Sequence, residues 1–195
     1  KPGAPAILPD VDRTTVNAIF KSLAQVKWGQ LDDPSKLTLA RTYQVALVRF
    51  GEPNSRTTAK IINQLDHHFP AANFEQNWLL CETLAYLQAP NTATKGIQLL
   101  KEAATQEEQI EYARSLRMLN QGWTMELRES YFNWFLKASN YRGGASFSKF
   151  IEFIRRDAET SLDAKSREQL KGLLAKKPKQ KSPFEVMAQA MIGRN

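Results

Sequence analysis

An all-α fold is predicted for this chain, either a HEAT-like α-solenoid or an irregular right-handed helical array of about nine to ten helices. Three observations predict it. Apolar residues recur at helical spacing through almost every segment, and no run of β-branched residues alternates convincingly. Helix-start and helix-stop residues punctuate the chain at the ends of those segments. The turns between them are short, about two to six residues, which makes successive helices antiparallel neighbours. Helix pairs spaced roughly 30–45 residues apart fit the solenoid, in which each pair buries its face against the next. No crisp sequence repeat is visible, so the irregular array stays open.

The elements follow in order. The first helix is expected over about Thr14 to Val26, after an extended lead-in at residues 1–13, with Val16, Ile19, Phe20 and Leu23 on one face. Asp33 as N-cap and Pro34 at the first helical position open a second helix burying Leu37, Ala40, Tyr43, Leu47 and Phe50. Gly51 stops it, and Pro53 follows. A third helix covers Arg56 to His68 with Ile61, Ile62 and Leu65 inward. Asn73 with Gln76 reads as a capping box for the next, through Trp78, Leu79, Leu84 and Leu87. Pro90-Asn91 turns the chain into a short helix holding Ile97, Leu99 and Leu100. Thr105 with Glu108 is the cleanest capping box and starts a helix with Ile110, Ala113, Leu116 and Leu119, which Gly122 closes.

Thr124 caps an aromatic helix in which Leu127, Tyr131, Trp134, Phe135 and Ala138 form the inward stripe. Gly143-Gly144 breaks the chain before Phe147, Phe150, Ile151, Ile154 and Ala158 repeat that stripe. Asp163 begins a last helix of the array, with Leu170, Leu173 and Leu174. The helical repeat domain is therefore placed at residues 14–175. A Lys/Pro linker at 176–183 and a short helical tail at 184–195 follow, because repelling lysines and two prolines bar a helix between them.

Composition bounds the function. The chain has 195 residues, enough for one large domain or a short array with a real core. A hydrophobic share of 42% and a charged share of 24% are those of a globular protein. No run is apolar enough to cross a bilayer, and the opening residues are not a signal peptide. A chain beginning at Lys1 reads as a processed product or a piece of a longer protein. The net charge of +7 raises nucleic acid as a partner, but its distribution argues against a groove. Much of the excess lies in the segment after Ala175, where Lys176, Lys177, Lys179, Lys181 and Arg194 face only Glu185. Such a run is ordinarily a solvated linker.

No residue pattern carries catalysis. Cys81 is the single cysteine, which excludes an internal disulfide and a cysteine cluster, and its helical context reads as a small buried hydrophobe. His67 and His68 are adjacent, so on a regular helix they point about 100° apart and cannot grip one metal together. They read as helix-end cations. The carboxylate pairs Asp32-Asp33 and Glu107-Glu108 sit at helix starts, where the dipole favours acids. Gly143-Gly144 before a helix could cradle an anion with Ser146 and the amides near Phe147, but it matches no phosphate-loop pattern. A tight turn that needs glycine is the simpler reading. In the run Tyr131, Phe132, Trp134 and Phe135, aromatics at helical spacing read as core, and Trp134 and Phe135 fit that. Because Tyr131 and Phe132 cannot face the same side, one of them is a candidate for a second interface.

Taken together, the segments FP, NWLLCETLAYLQAP, ATQEEQIEYARSLRML, GWT, YFNWF and GGASFSKFIEFIRRDA, in that order between about Phe69 and Leu174, resemble the helical part of PVC-type haem-binding multidomain proteins of planctomycetes and their relatives. These are often labelled membrane-bound dehydrogenases. YFNWF and GGASFSKF are the most specific pieces. In that family a sugar-dehydrogenase-like propeller commonly precedes HEAT-like helices, and a c-type cytochrome domain with CxxCH follows. This chain has neither propeller strands nor a CxxCH, so redox activity does not carry over. The resemblance implies periplasmic or exported residence and a non-catalytic spacer or docking role toward other domains of the same parent or a redox partner protein. No cofactor or metal is expected in this chain itself. The candidate docking and structural hub is Tyr131, Phe132, Trp134, Phe135, Gly143, Gly144, Ser146, Phe147 and Phe150. The alternative is a stand-alone helical-repeat protein that binds nucleic acid or another anionic partner.

Overall fold

A computed structural model describes residues 12–177. Ten α-helices and one 3₁₀ turn make up the regular structure of these residues, with no strand among them. The chain divides into two compact units, with the boundary between Thr92 and Ala93.

The first unit holds α1 (Arg13–Leu23), a 3₁₀ turn at Trp28–Gln30, α2 (Asp33–Phe50), α3 (Ser55–His67) and α4 (Phe74–Tyr86). Local chemistry sets the starts. Asp12, Asp32, Asn54 and Asn73 each accept a backbone amide of the first turn that no helical carbonyl can reach. The cap of α2 is therefore Asp32, one residue before the expected Asp33, and it accepts from the Ser35 amide at 2.9 Å. Asp33 is instead the first helical residue, and its carboxylate receives Lys36 Nζ at 3.0 Å and Gln76 Nε2 at 2.9 Å. That second bond uses the Gln76 side chain, so the capping box expected at Asn73 has only its first half. Gly51 ends α2 at φ 71°, as its type predicts.

Packing in this unit centres on Tyr43, Leu47, Ile61, Leu65, Leu80 and Leu84, all buried, with Val16 and Phe20 of α1 closing one side. Ile19, Leu23, Leu37, Phe50 and Ile62, expected inward, are only half-buried. Polar groups tie the layers together. The Tyr43 hydroxyl donates to Gln64 Oε1 at 3.1 Å, and Gln64 Nε2 donates to the Val26 carbonyl at 2.7 Å. Arg13 Nη1 reaches the Phe50 carbonyl at 3.2 Å and so serves an orphan acceptor at the end of α2. Helices α2 and α4 run in the same direction, with Asp33 beside Gln76 at their starts and Gln44 beside Glu82 further along.

The helix α5 (Thr92–Glu102) begins at the boundary. The second unit continues with α6 (Gln106–Leu116), α7 (Met125–Ala138), α8 (Phe147–Thr160), α9 (Ala164–Gln169) and α10 (Lys171–Leu174). Thr105 and Thr124 cap α6 and α7 as expected, and Asp163 caps α9. Glu108 returns its carboxylate to the Ala104 amide rather than to that of Thr105. Helix α6 stops at Leu116, short of the expected end. Gly122 lies in the following loop at φ 74°, where it turns the chain toward α7. The last helix of the expected array is two pieces, broken at Leu170.

No helix among the described residues is long and apolar enough to cross a membrane. Helix α1 begins at Arg13, inside the span expected to be lead-in, and residues 1–11 of that lead-in lie outside the described residues. The expected tail, and all of the Lys/Pro linker beyond Lys177, lie outside the described residues.

Candidate functional site

Four of the hub residues come together as a closed aromatic core. Tyr131, Phe132, Trp134 and Phe135 are all buried, so neither Tyr131 nor Phe132 is left exposed as the second face expected of one of them. Their rings meet at tilted or edge geometries, with Tyr131–Phe135 and Trp134–Phe135 centroids 5.0 Å apart. Such contacts add to burial through ring quadrupoles. The polar tips are satisfied inside. The Tyr131 hydroxyl donates to the Ala113 carbonyl at 2.6 Å, and Trp134 Nε1 donates to Gln109 Oε1 at 3.1 Å. The Tyr141 hydroxyl also bonds that same oxygen, Lys137 Nζ approaches it at 3.5 Å, and Gln109 Nε2 donates to the Ala103 carbonyl at 2.9 Å. Buried Gln109 is therefore the polar centre that fastens α7 and the Tyr141 segment to α6.

A cation closes the other end of this cluster. Arg128 is only 4% exposed and lies over Trp123, its guanidinium carbon 4.9 Å from the ring centroid, while Trp123 stacks on Tyr131 at 5.4 Å. Burial pushes the Arg128 pKa down, and the Asp163 carboxylate opposes that shift. Arginine tolerates the site because its planar charge is weakly hydrated and stacks.

The rest of the expected hub does not join the core. Phe147 is half-buried and Phe150 is 41% exposed, because α8 turns Ile151, Ile154 and Ala158 inward instead. Phe153 on the same helix is 52% exposed, with Arg156 lying over its ring at 5.0 Å. Neither Gly143 nor Gly144 has a positive φ, which removes the conformational reason for the pair. Gly143 has a steric one: a Cβ there would lie 2.1 Å from Phe147 Cγ. A Cβ on Gly144 would meet nothing within 4 Å. The Phe147 amide donates to the Gly144 carbonyl at 2.9 Å and Ser146 makes no side-chain cap, so the donors of the anion reading are not presented as a cradle.

The other residues weighed for chemistry have structural tasks. Cys81 is fully buried. His68 stacks on Trp28 with centroids 5.6 Å apart. Desolvation lowers its pKa, assisted by His67 and Lys36, so at this helix end the neutral ring is favoured rather than the expected cation. Bonds from Thr15, Ser35 and Ser166 hold the carboxyls of Asp12, Asp32 and Asp163 below the ordinary range, as caps do. Among the described residues no group of His, Cys, Asp and Glu has the arrangement of a metal site.

A surface feature of the first unit went unread in the sequence. Between the parallel helices α2 and α4 runs an open groove of about 450 Å³, lined by Arg41, Val45, Val48 and Arg49 from α2 and by Glu82 and Tyr86 from α4. Val48 is 76% exposed, Val45 46% and Tyr86 44%. Gln44 Nε2 engages Glu82 Oε2 at 2.9 Å, and Arg41 lies over Trp78 at 5.6 Å. The signal was available: Val45 and Val48 fall outside the stripe Leu37, Ala40, Tyr43, Leu47 and Phe50.

Comparison with family models, curated proteins and solved structures finds no match to this chain.

Proposed function

We propose that this chain is a non-catalytic α-helical scaffold and docking domain of a larger exported or periplasmic redox protein of the haem-binding dehydrogenase kind. Its task is to hold neighbouring domains of that protein, or a redox partner, in place. One observation carries the docking role. Asp32, Asp163, Tyr131 and Trp134 are engaged in caps and core, while Val45 and Val48 of the first unit and Phe150 and Phe153 of the second stay exposed on helix faces. On a folded domain such exposed apolar faces mark surfaces that other proteins cover. The resemblance of YFNWF and GGASFSKF to the helical part of those multidomain proteins supports the redox parentage. On this reading the chain carries no cofactor, and haem and substrate belong to the other domains.

The test begins with the natural reading frame around the chain. A CxxCH motif downstream of Asn195 is expected, and the flanking segments, produced separately, are expected to bind this domain in titration calorimetry. A reading frame with no haem-binding segment overturns the parentage. Flanking segments that fail to bind overturn the docking role. Binding of a nucleic-acid duplex with affinity that collapses as salt rises would favour the anionic-partner alternative instead.

A further inference from the structure

We infer that the groove between α2 and α4 receives an amphipathic helix of a partner, apolar on one face and acidic along the margin of that face that meets α2. This inference rests on the docking role proposed above and names the chemistry of the partner that one surface takes.

The geometry fits a helix. Arg41, Val45, Val48 and Arg49 are spaced i, i+4, i+7 and i+8, so they line one side of α2, and Glu82 and Tyr86 at i, i+4 line the facing side of α4. From Arg41 to Arg49 the trough is about 12 Å long, a little over two turns at 1.5 Å per residue. Side chains at i, i+3 or i+4 and i+7 of an incoming helix reach along that length, the usual mode of helix-in-groove recognition. The volume of about 450 Å³ is that of a concave binding site, and a flat bilayer cannot follow it.

The charge selects the partner. Apolar Val45, Val48 and Tyr86 form the floor, with an arginine at each end of the α2 side. The single lining carboxylate, Glu82, already accepts from Gln44. Arg41 donates to Gln44 Oε1 at 2.9 Å, one of the five donors a guanidinium carries. A partner with Asp or Glu on the side of its apolar stripe that meets α2 therefore matches that rim, and one with Lys or Arg there is repelled. Nucleic acid is the poorer fit, because bases stack on aromatic faces and Tyr86 is the one ring of the floor, beside two exposed valines that offer none.

The experiment uses a displayed library of random peptides about four helical turns long, selected on the whole chain and counter-selected on Val48→Asp. Because Val48 is largely exposed, that variant is expected to keep its circular-dichroism melt. The enriched peptides are expected to carry an i, i+3/i+4, i+7 apolar stripe with acids along one side. The best of them, synthesised and labelled, is expected to bind Val48→Asp and Arg49→Glu roughly tenfold or more weakly by fluorescence anisotropy. Its Glu-to-Lys counterpart is expected to prefer Arg49→Glu over the natural chain. Enrichment of basic or patternless peptides, equal binding to both variants, or no enrichment overturns the inference. The two proposals fail separately. If the flanking segments bind but ignore Val48→Asp and Arg49→Glu, the docking role stands and the groove does not. If they fail to bind while acidic helices are selected, the groove stands and docking to the flanking segments does not.

Discussion

Replacing Gln109 with methionine keeps the length and most of the volume of the side chain while deleting its amide. The structure lets the cost be worked out. Gln109 Oε1 is the acceptor for Trp134 Nε1 and for the Tyr141 hydroxyl, and Nε2 serves the Ala103 carbonyl. Trp134 is buried, so its indole N–H would lose its partner away from water, a penalty of about 1–3 kcal/mol. Tyr141 is only half-buried, so its hydroxyl can turn to solvent and losing its bond adds only about 0.5–1.5 kcal/mol. Gln109→Met is thus expected to destabilise the second unit by about 2–4 kcal/mol in urea denaturation followed by far-ultraviolet circular dichroism. The decisive comparison is with Trp134→Phe and the double variant. Once the indole N–H is gone, Gln109→Met can no longer leave it unpartnered, so the two losses should fall short of additivity by about 1 kcal/mol or more. A loss under about 1 kcal/mol for Gln109→Met, or strict additivity in the cycle, would refute Gln109 as the fastening point of α6 and α7.

Trp134→Ala is expected to cost about 3–5 kcal/mol, the range for emptying a buried aromatic site, and a loss under about 1 kcal/mol in the same melts would show that the ring is not core. Gly143→Val should destabilise by about 1–3 kcal/mol because its Cβ collides with Phe147, whereas Gly144→Ala should melt like the natural chain; equal effects of the two changes would remove the steric distinction. His68 has a folded-state pKa below its ordinary 6.5, so between those two values the unfolded chain binds more protons and stability rises with pH. That contribution begins to be lost as pH falls below 6.5 and is fully lost below the folded-state value. His68→Phe, which keeps a ring against Trp28, should flatten this part of the profile. An NMR titration midpoint for His68 at or above 6.5 would contradict the assignment.

By itself the sequence determined the all-α class and most helix starts. Those signals act over three or four residues: Asn73, Thr105, Thr124 and Asp163 each cap by bonding an amide three positions on, whatever lies around them. Gly51 stopped its helix for an equally local reason, the ease with which glycine takes positive φ. The aromatic core at Tyr131, Trp134 and Phe135 was also legible, since large rings at helical spacing have to be buried somewhere. Tertiary structure decided the rest. Phe147 and Phe150 lie close enough in angle to Ile151 and Ile154 that periodicity alone could not choose which set α8 turns inward. The facing helices chose. The need for glycine at position 143 came from a ring four residues away, and the joining role of Gln109 came from donors 25 and 32 residues distant. The groove was half legible in Val45 and Val48, but its other wall, Tyr86, reaches it only because α3 returns the chain so that α4 runs parallel to α2. Caps and stops are energies of neighbours in sequence; burial and grooves are energies of neighbours in space, and only packing sets those.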